Sequence, residues 1–297
     1  MTIEHIAIIG AGQMGNGIAQ VSSCAGYKVT MIDIKQEFVE KGMQTIEKSL
    51  SKLVAKGRMT EEEAQQALSR ISTSTENSSA ADADLVVEAI PEVLSYKTAL
   101  FEQLDSFCKP ETILATNTSS ISIDAIASAT NRPDRVIGMH FMNPVPIMKL
   151  VEVIKGKSTS KDVTNIVMEL SKELGKIPVE VNDAPGFVAN RILMPMINEA
   201  ILTLEENVSG VEEIDTVMIL GMSHPMGPLH LADFIGLDVC LSILDVMYKG
   251  FNNEKYIASK LLSKMVTDGN LGIKSGKGFY DYSGGPRNKK VSSEFIR

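Results

Sequence analysis

Short apolar runs alternate with segments of helical periodicity along the first half of the chain. The runs that we interpret as strands cover residues 3–9, 28–33, 84–90, 111–116 and 135–141. Helical segments over 14–25 and 93–107, and a shorter one from Ser122, lie between them. Strands that alternate with helices are typical of a doubly wound, mostly parallel sheet. We therefore predict an α/β fold for this part of the chain.

One helical insertion interrupts this alternation. Residues 36–56 have the pattern of a long helix, and Thr60 with Glu63 forms a T-x-x-E capping box that would begin a second helix over 61–70. The pattern thus predicts a helical hairpin inserted into the sheet domain. The tip of this hairpin would carry the basic residues Lys52, Lys56 and Arg58.

The pattern changes near Asp183, where strand-like alternation disappears. In the segment DAPGF, Pro185 occupies a position that the first turn of a helix tolerates. Helical periodicity then follows over residues 187–206, 211–220, 228–249 and 255–267. We predict a domain boundary at about residue 183, with a sheet domain over 1–183 and an all-helical C-terminal domain over 184–297.

Composition narrows the class of protein. Of the 297 residues 44% are hydrophobic and 22% charged, as expected for a globular protein with a substantial core. The net charge is −8 and the basic residues are scattered, so we expect no sequence-independent binding to nucleic acid. No apolar run approaches the roughly 20 residues of a membrane span, and the start of the chain, MTIEHIAIIGAG, lacks the basic region of a signal peptide. The three cysteines fit neither zinc nor disulfide spacing, so we expect no metal site and a soluble cytoplasmic protein.

The segment IIGAGQMG places Gly10, Gly12 and Gly15 in G-x-G-x-x-G spacing between a predicted strand and a predicted helix. Asp33 ends the next strand, so the whole motif has the context of a Rossmann-type dinucleotide site. The glycines would allow a tight turn, close approach of a pyrophosphate and close helix packing. The Asp33 carboxylate can accept hydrogen bonds from a ribose diol and would repel a 2′-phosphate, which favours NAD over NADP. The alternative is a glycine turn in an empty α/β unit, with Asp33 as a solvated strand end.

His140 and Glu152 lie in two apolar segments joined by a proline-containing turn at 144–148. If the chain reverses there, the strands run antiparallel and the two side chains can meet. A carboxylate on one imidazole nitrogen sets the tautomer and makes the other nitrogen a better base, as oxidation of an alcohol beside a nicotinamide requires. The alternatives are a satisfied core histidine and an exposed strand acid.

Polar residues also follow the predicted strand 111–116, in the segment ATNTSSISI. Asn117, Ser119 and Ser120 could hydrogen-bond a polarised oxygen or a nicotinamide, whereas Ser122 is placed to be the N-cap of the next helix. The pattern does not decide which hydroxyl group serves catalysis.

Asn190 falls on the apolar row of the predicted helix 187–206. A buried amide needs hydrogen-bond partners, and these could be a substrate carbonyl or a neighbouring backbone group.

A series of longer segments identifies a family that this chain resembles. In order, these segments are GAGQMGNGIAQ, DLVVEAIPE, NTSSISI, GMHFMNPVPIMKLVEVI, DAPGFVANRIL, HPMGPLHLADFIGLD and GKGFYDY. Together they closely resemble the short-chain L-3-hydroxyacyl-CoA dehydrogenases, and among these the bacterial 3-hydroxybutyryl-CoA dehydrogenases. The resemblance covers both predicted domains. One departure is Val93, where many relatives have asparagine, and it concerns the start of a helix.

The resemblance implies NAD-dependent interconversion of (S)-3-hydroxyacyl-CoA and 3-oxoacyl-CoA in a cleft between the domains. His140 would be the general base, Glu152 its orienting partner, and Ser119 and Asn190 the contacts to the substrate oxygen. Further cofactor-contacting positions match Glu92, Lys97, Asn117, Asn143 and Lys274.

In the same family, the CoA moiety is contacted at the positions of Ser49 and Lys56, which agrees with the basic hairpin tip. For this tip the alternative is a solvated charge cluster. The bacterial relatives are commonly dimers through the helical domain, so we expect a homodimer. The acyl-CoA substrate would be acetoacetyl-CoA or 3-hydroxybutyryl-CoA.

Two other functions compete with this interpretation. One is a dehydrogenase of a sugar acid or carnitine on the same two-domain plan, against which the basic tip argues weakly. The other is a non-catalytic NAD-binding protein, which would not need Ser119, His140, Glu152 and Asn190 together.

Overall fold

The computed structural model describes residues 2–296. The chain divides into two compact units, of which the first ends at Ala184 and the second begins at Pro185. The first unit contains, in chain order, β1 (His5–Ile9), α1 (Gln13–Cys24), β2 (Lys28–Ile32), α2 (Gln36–Ala55), α3 (Glu61–Ser69), β3 (Ile71–Ser74), β4 (Leu85–Glu88), α4 (Leu94–Phe107), β5 (Ile113–Thr116), α5 (Ile123–Ala127), β6 (Val136–Phe141), β7 (Leu150–Lys155), α6 (Lys161–Glu173) and β8 (Ile177–Asn182).

The strands of the first unit form one eight-stranded sheet in the order β3-β2-β1-β4-β5-β6-β7-β8. Within the described residues, neighbouring strands pair in parallel except β6 and β7, which are antiparallel. The chain proceeds outward from β1 to β3 and then returns to place β4 on the other side of β1. Ligands of open α/β sheets bind at such a switch point, outside the carboxyl ends of the strands. The predicted Rossmann-type fold is confirmed.

The central strands are buried on both faces, as their continuous apolar runs predict. All of β1 and all of β6 are buried. The buried face of the long helix α2 consists of Val39, Gly42, Ile46 and Leu50. Val39, Ile46 and Leu50 belong to one apolar cluster with residues of β1 and β6. The predicted capping box is confirmed, because Thr60 accepts from the backbone of Glu63 and the Glu63 carboxylate accepts from the backbone of Thr60.

The apolar pattern did not predict β3, β8 or α6. Both strands lie at an edge of the sheet and are only partly buried. An edge strand packs on fewer neighbours, so its sequence carries fewer apolar residues than a central strand does. For this reason ISTS and IPVEVN have no continuous apolar run.

The second unit is built mainly of helices, in agreement with the predicted fold class. Its elements are α7 (Ala189–Glu205), α8 (Val211–Thr216), α9 (Pro228–Ile235), α10 (Leu237–Phe251), α11 (Lys260–Thr267), β9 (Tyr280–Asp281) and β10 (Lys290–Val291). The two short strands pair with each other. A π-helical turn, Val217–Gly221, continues α8.

Three helix boundaries differ from the prediction. The helix predicted to begin at Phe187 begins at Ala189, because Gly186 and Phe187 both have positive φ angles. The helix predicted over 228–249 is two helices, α9 and α10, separated at Gly236, whose φ of 104° is incompatible with a continuous α-helix. The last helix begins at Lys260 rather than at 255, where Ser259 is its N-cap.

Two buried aspartates of the helices accept hydrogen bonds from residues 279–282 of the same unit. Asp233 accepts hydrogen bonds from the backbone of Phe279 (3.0 Å) and Tyr280 (2.9 Å) and from the Tyr282 hydroxyl (3.0 Å). Asp215 accepts from the Tyr280 hydroxyl at 2.7 Å. Burial raises the pKa of the Asp233 carboxyl to about 6, even though its hydrogen-bond donors oppose that shift.

None of the helices within residues 2–296 combines the length and the apolar character that crossing a membrane requires.

Candidate active site

The glycine turn joins β1 to α1 at the switch point of the sheet. Gly10 has a φ of 104°, and a Cβ atom there would lie 2.5 Å from the carbonyl oxygen of Ala89. A Cβ atom on Gly15 would lie 1.7 Å from the carbonyl oxygen of Gly10, so Gly15 is required for the close packing of α1. Beside Gly12, in contrast, a Cβ atom would meet no atom within 4 Å. Gly10 and Gly15 are therefore explained by the fold, whereas Gly12 keeps open space at the start of a helix, as a bound pyrophosphate requires.

Asp33 lies directly after β2 and is connected to this turn. One carboxylate oxygen accepts a hydrogen bond from the backbone of Ala11 (2.7 Å) and the other accepts one from the backbone of Ile34 (2.7 Å). The carboxylate is partly exposed. Because each carboxylate oxygen can accept more than one hydrogen bond, Asp33 can also accept from a diol.

His140 and Glu152 lie opposite each other on the antiparallel strands β6 and β7. The predicted arrangement of these strands is thus confirmed. His140 Nδ1 and Glu152 Oε2 are 2.8 Å apart, and the two residues are only 6% and 2% exposed. An ionised carboxylate only accepts hydrogen bonds, so Nδ1 carries the hydrogen and Nε2 is the nitrogen that can take up a proton. The pair can therefore act as a general base with a defined tautomer.

The segment after β5 lies next to His140 along the sheet. Asn117 is buried, and its side-chain oxygen accepts from the backbone of Phe141, the residue after His140 (2.9 Å). Ser119 is partly exposed and Ser120 is buried. Ser122 accepts from the backbone of Ala125 and begins α5, which confirms it as an N-cap.

The Glu92 carboxylate accepts several hydrogen bonds from this segment. Its Oε1 atom accepts from the Thr118 hydroxyl (2.6 Å), from the backbone of Ser119 (2.9 Å), and from the backbone and hydroxyl of Ser120 (3.1 and 3.2 Å). Its other oxygen lies 3.3 Å from the ammonium of Lys97. Burial by itself would raise the pKa of the Glu92 carboxyl, but the Lys97 charge and the donors outweigh burial and lower this pKa. The backbone amides of Ser119 and Ser120 thus both donate to Glu92.

Lys97 lies in α4 and is only 1% exposed. Its ammonium contacts Glu88 Oε1 at 2.5 Å and the carbonyl oxygen of Ile90 at 3.3 Å, besides Glu92. Val93, the position that departs from the family pattern, precedes α4 and makes no side-chain cap. The sequence pattern did not predict a role for Glu88, although a single acid at the end of the apolar strand LVVE was visible.

The turn between β6 and β7 contacts the glycine helix. Gln13 of α1 donates to the side-chain oxygen of Asn143 at 3.1 Å, and a Cβ atom on Gly17 would lie 2.8 Å from that of Val145. The Lys176 ammonium donates to the carbonyl oxygens of Val145 and Met148 inside the same turn. Burial lowers the pKa of Lys176. The sequence pattern did not indicate a role for this lysine, because nothing near it in the chain shows that the amine is buried.

The remaining predicted residues lie on α2, at its C-terminal end, or in the second unit. Ser49 is partly buried on α2, and Lys56 is exposed at the end of that helix. Asn190 is buried in the first turn of α7. Lys274 pairs with Asp238 in a short turn of the second unit.

The positions of the first-unit residues follow from the topology. Gly10, Asp33 and Asn117 follow the carboxyl ends of β1, β2 and β5, and His140 lies near the carboxyl end of β6. Because these strands are parallel, the fold places the glycine turn, the polar segment and the histidine along one edge of one sheet.

Two family models match the chain. The model described as "3-hydroxyacyl-CoA dehydrogenase, NAD binding domain" matches residues 5–184, and "3-hydroxyacyl-CoA dehydrogenase, C-terminal domain" matches residues 186–282. This chain belongs to the 3-hydroxyacyl-CoA dehydrogenase family. It is an NAD-dependent oxidoreductase, and its glycine turn and Asp33 fit that cofactor, since Gly12 leaves room for the phosphates and Asp33 offers acceptors for a ribose.

Individual relatives agree with this membership. The chain is 50% identical over 278 residues to a 3-hydroxybutyryl-CoA dehydrogenase of Clostridioides difficile, covering 94% of this chain and 99% of the relative. A 3-hydroxybutyryl-CoA dehydrogenase of Bradyrhizobium diazoefficiens is also 50% identical, over 95% of this chain and 96% of the relative. The crystal structure of (S)-3-hydroxybutyryl-CoA dehydrogenase PaaH1 from Ralstonia eutropha aligns with a TM-score of 0.93 and 48% identity, over 95% of this chain and 100% of that one.

Proposed function

We propose that this family member interconverts (S)-3-hydroxybutyryl-CoA and acetoacetyl-CoA. The observation that carries the proposal is the buried contact between His140 on β6 and Glu152 on β7, beside the polar segment that follows β5. Support for the short acyl chain and for the S configuration comes from the names of the Clostridioides difficile and Ralstonia eutropha relatives.

His140 removes the proton of the substrate hydroxyl through Nε2. Bound NAD supplies the acceptor for the hydride that leaves carbon 3. Glu152 keeps Nδ1 protonated and stabilises the imidazolium that forms, and in the reverse direction the protonated imidazole donates to the 3-oxo group. General acid–base catalysis of this kind typically contributes about 10²–10⁴-fold to a rate.

Ser119 and Asn190 contact the reacting oxygen in this proposal. Since the backbone amides of Ser119 and Ser120 already donate to Glu92, the side chains rather than a pair of backbone amides would orient that oxygen. Asn190 would contribute its side-chain amide from the C-terminal domain.

The cofactor-binding residues of the proposal follow the edge of the sheet. The glycine turn at Gly10, Gly12 and Gly15 holds the pyrophosphate, and Asp33 accepts from the adenosine ribose. The further proposed residues are Glu92, Lys97, Asn117, Ser119, Asn143 and Lys274. Lys97 would serve the cofactor through Glu92, because it is buried against Glu88 and Glu92.

Ser49 and Lys56 are proposed to contact the CoA moiety. Lys56 is exposed at the tip of the α2–α3 hairpin, where an ammonium can reach a phosphate of a bound ligand. We further propose that residues 1–183 form the NAD-binding domain and that residues 184–297 serve substrate binding and dimerisation. The protein would be a cytoplasmic homodimer. The exposed apolar residues Val217, Leu220 and Met222 support such an interface.

The test is NADH oxidation with acetoacetyl-CoA, beside parallel reactions with NADPH, free acetoacetate and a long-chain 3-oxoacyl-CoA. We expect rapid turnover only with NADH and the short CoA ester. Equal turnover with NADPH would refute the role of Asp33. Turnover of the long ester alone would refute the proposed chain length, and equal turnover of free acetoacetate would refute the role of the CoA contacts.

A further inference from the structure

Glu88, the last residue of β4, is a buried acid outside the chemistry proposed above. Its side chain is fully buried, and burial of a lone carboxylate is costly unless charge and hydrogen bonds compensate it. Three donors contact it: the Lys97 ammonium at 2.5 Å, the backbone of Ile90 at 2.7 Å and the Thr116 hydroxyl at 2.6 Å. The carboxylate is therefore fully compensated within the first unit.

Two routes lead from Glu88 to the segment that carries Ser119. In one, Thr116 donates its hydroxyl to Glu88 and accepts from the backbone of Thr118 at 3.2 Å. In the other, Lys97 stands between Glu88 and Glu92, and Glu92 accepts from the backbone of Ser119. Glu88 is thus connected to Thr118 through Thr116, and to Ser119 through Lys97 and Glu92.

The distances indicate how Glu88 acts. Lys97 is 2.5 Å from Glu88 but 3.3 Å from Glu92, so Glu88 holds the larger share of the ammonium. Without the charge of Glu88, the ammonium would move toward Glu92. An ammonium closer to Glu92 would compete with the hydrogen bonds that this carboxylate accepts. Those hydrogen bonds come from Thr118, Ser119 and Ser120, on the other carboxylate oxygen.

We propose that Glu88 is a positioning residue that, through Lys97, Glu92 and Thr116, sets the position of Ser119. The proposal rests on the function proposed above, in which Ser119 contacts the reacting oxygen. Glu88 itself touches neither substrate nor cofactor. This role explains why a fully buried ion pair lies at the end of β4, whose other residues are apolar.

The experiment is a double-mutant cycle of Glu88→Gln with Ser119→Ala, with kcat measured for acetoacetyl-CoA and NADH. Glutamine keeps the size of the side chain and removes the charge. We expect Glu88→Gln to lower kcat about tenfold in the wild-type background and less than about twofold in the Ser119→Ala background, because residues in one network are not additive. A merely structural role would give equal losses in both backgrounds, and that result would overturn the proposal.

Asp105→Asn is the matched control. Asp105 is a partly buried carboxylate of the same unit, paired with Arg132 at 2.6 Å, and it contacts none of the residues proposed for the site. We expect this variant to lower the melting temperature while its kcat stays within about twofold of wild type, since sites without shared partners act independently. A kcat loss equal to that of Glu88→Gln at similar stability would contradict a specific role for Glu88.

If Glu88→Gln does not fold, Thr116→Val removes the hydroxyl that joins Glu88 to the backbone of Thr118 and leaves both ion pairs of Lys97 in place. It should still lose activity in the wild-type background and not in the Ser119→Ala background. Wild-type kcat in this variant would overturn the proposal. The proposed function fails in a different way, by full activity of Ser119→Ala or by the absence of turnover with any CoA ester.

Discussion

Replacing Glu152 with glutamine removes one negative charge from the contact with His140 and changes little else. The side-chain oxygen of glutamine can still accept from Nδ1 at the position where Glu152 Oε2 lies, 2.8 Å away. The imidazole should therefore keep its orientation and tautomer. What is lost is the stabilisation of the imidazolium that forms when His140 takes the substrate proton.

The structure sets limits on the size of this loss. With charge centres about 4 Å apart and an effective dielectric constant of about 20, the attraction amounts to about 4 kcal/mol. The lower limit is the difference between a charge-assisted and a neutral hydrogen bond, about 1 kcal/mol. Since each 1.4 kcal/mol corresponds to roughly tenfold in rate, we expect kcat to fall between about 5-fold and 1,000-fold.

The assay is the steady-state loss of NADH absorbance with acetoacetyl-CoA, together with a separate measurement of NADH binding. NADH affinity should stay within about twofold of wild type, because sites without shared partners act independently. The free energy of unfolding should not decrease, since a buried amide costs less than a buried carboxylate. Glu180→Gln is the matched control, because Glu180 lies on the adjacent strand β8 but pairs with Lys155 at the surface.

A Glu152→Gln enzyme with wild-type kcat would remove the carboxylate from the mechanism. An equal loss in Glu180→Gln would show that the effect does not come from the contact with His140.

Two further predictions concern the turn and the C-terminal unit. Gly12→Ala should raise the dissociation constant of NADH at least about tenfold without lowering the melting temperature, because its Cβ atom meets no protein atom within 4 Å but occupies the phosphate approach; unchanged NADH affinity would contradict this use of the turn. The folded pKa of Asp233, about 6, lies above the ordinary value of 3.8, so this carboxyl stabilises the fold below pH 3.8 and loses that contribution as the pH rises through 6. Urea unfolding followed by tyrosine fluorescence should therefore show the stability of wild type relative to Asp233→Asn falling by about 2 kcal/mol between pH 4 and pH 7; a pH-independent difference would refute this.

Local signals in the sequence were sufficient for the glycine turn. Gly15 is required by the carbonyl of Gly10, five residues away, and Gly10 by its own positive φ, although the second constraint on Gly10, the carbonyl of Ala89, is distant in the chain. Asp33 follows directly from the end of the next strand. The reversal between His140 and Glu152 was also readable, because one short turn separates two apolar strands. The caps at Thr60 and Ser122 depend on residues three positions away.

Other features depended on contacts between distant parts of the chain. The edge strands β3 and β8 lack an apolar run because they have a neighbour on one side only. The break at Gly236 was missed because the apolar periodicity of α9 continues into α10 on both sides of it.

By itself the sequence determined the α/β and helical parts, the dinucleotide turn and the strand pair that carries His140 and Glu152, because each of these is encoded by neighbours along the chain. Only the tertiary structure decided which buried charges meet. Glu88 contacts Thr116 on the next strand and Lys97 on the following helix, and Lys176 contacts the turn before β7. The partner of a buried charge is set by strand order and packing, and residues far apart in sequence carry no local pattern that reveals it.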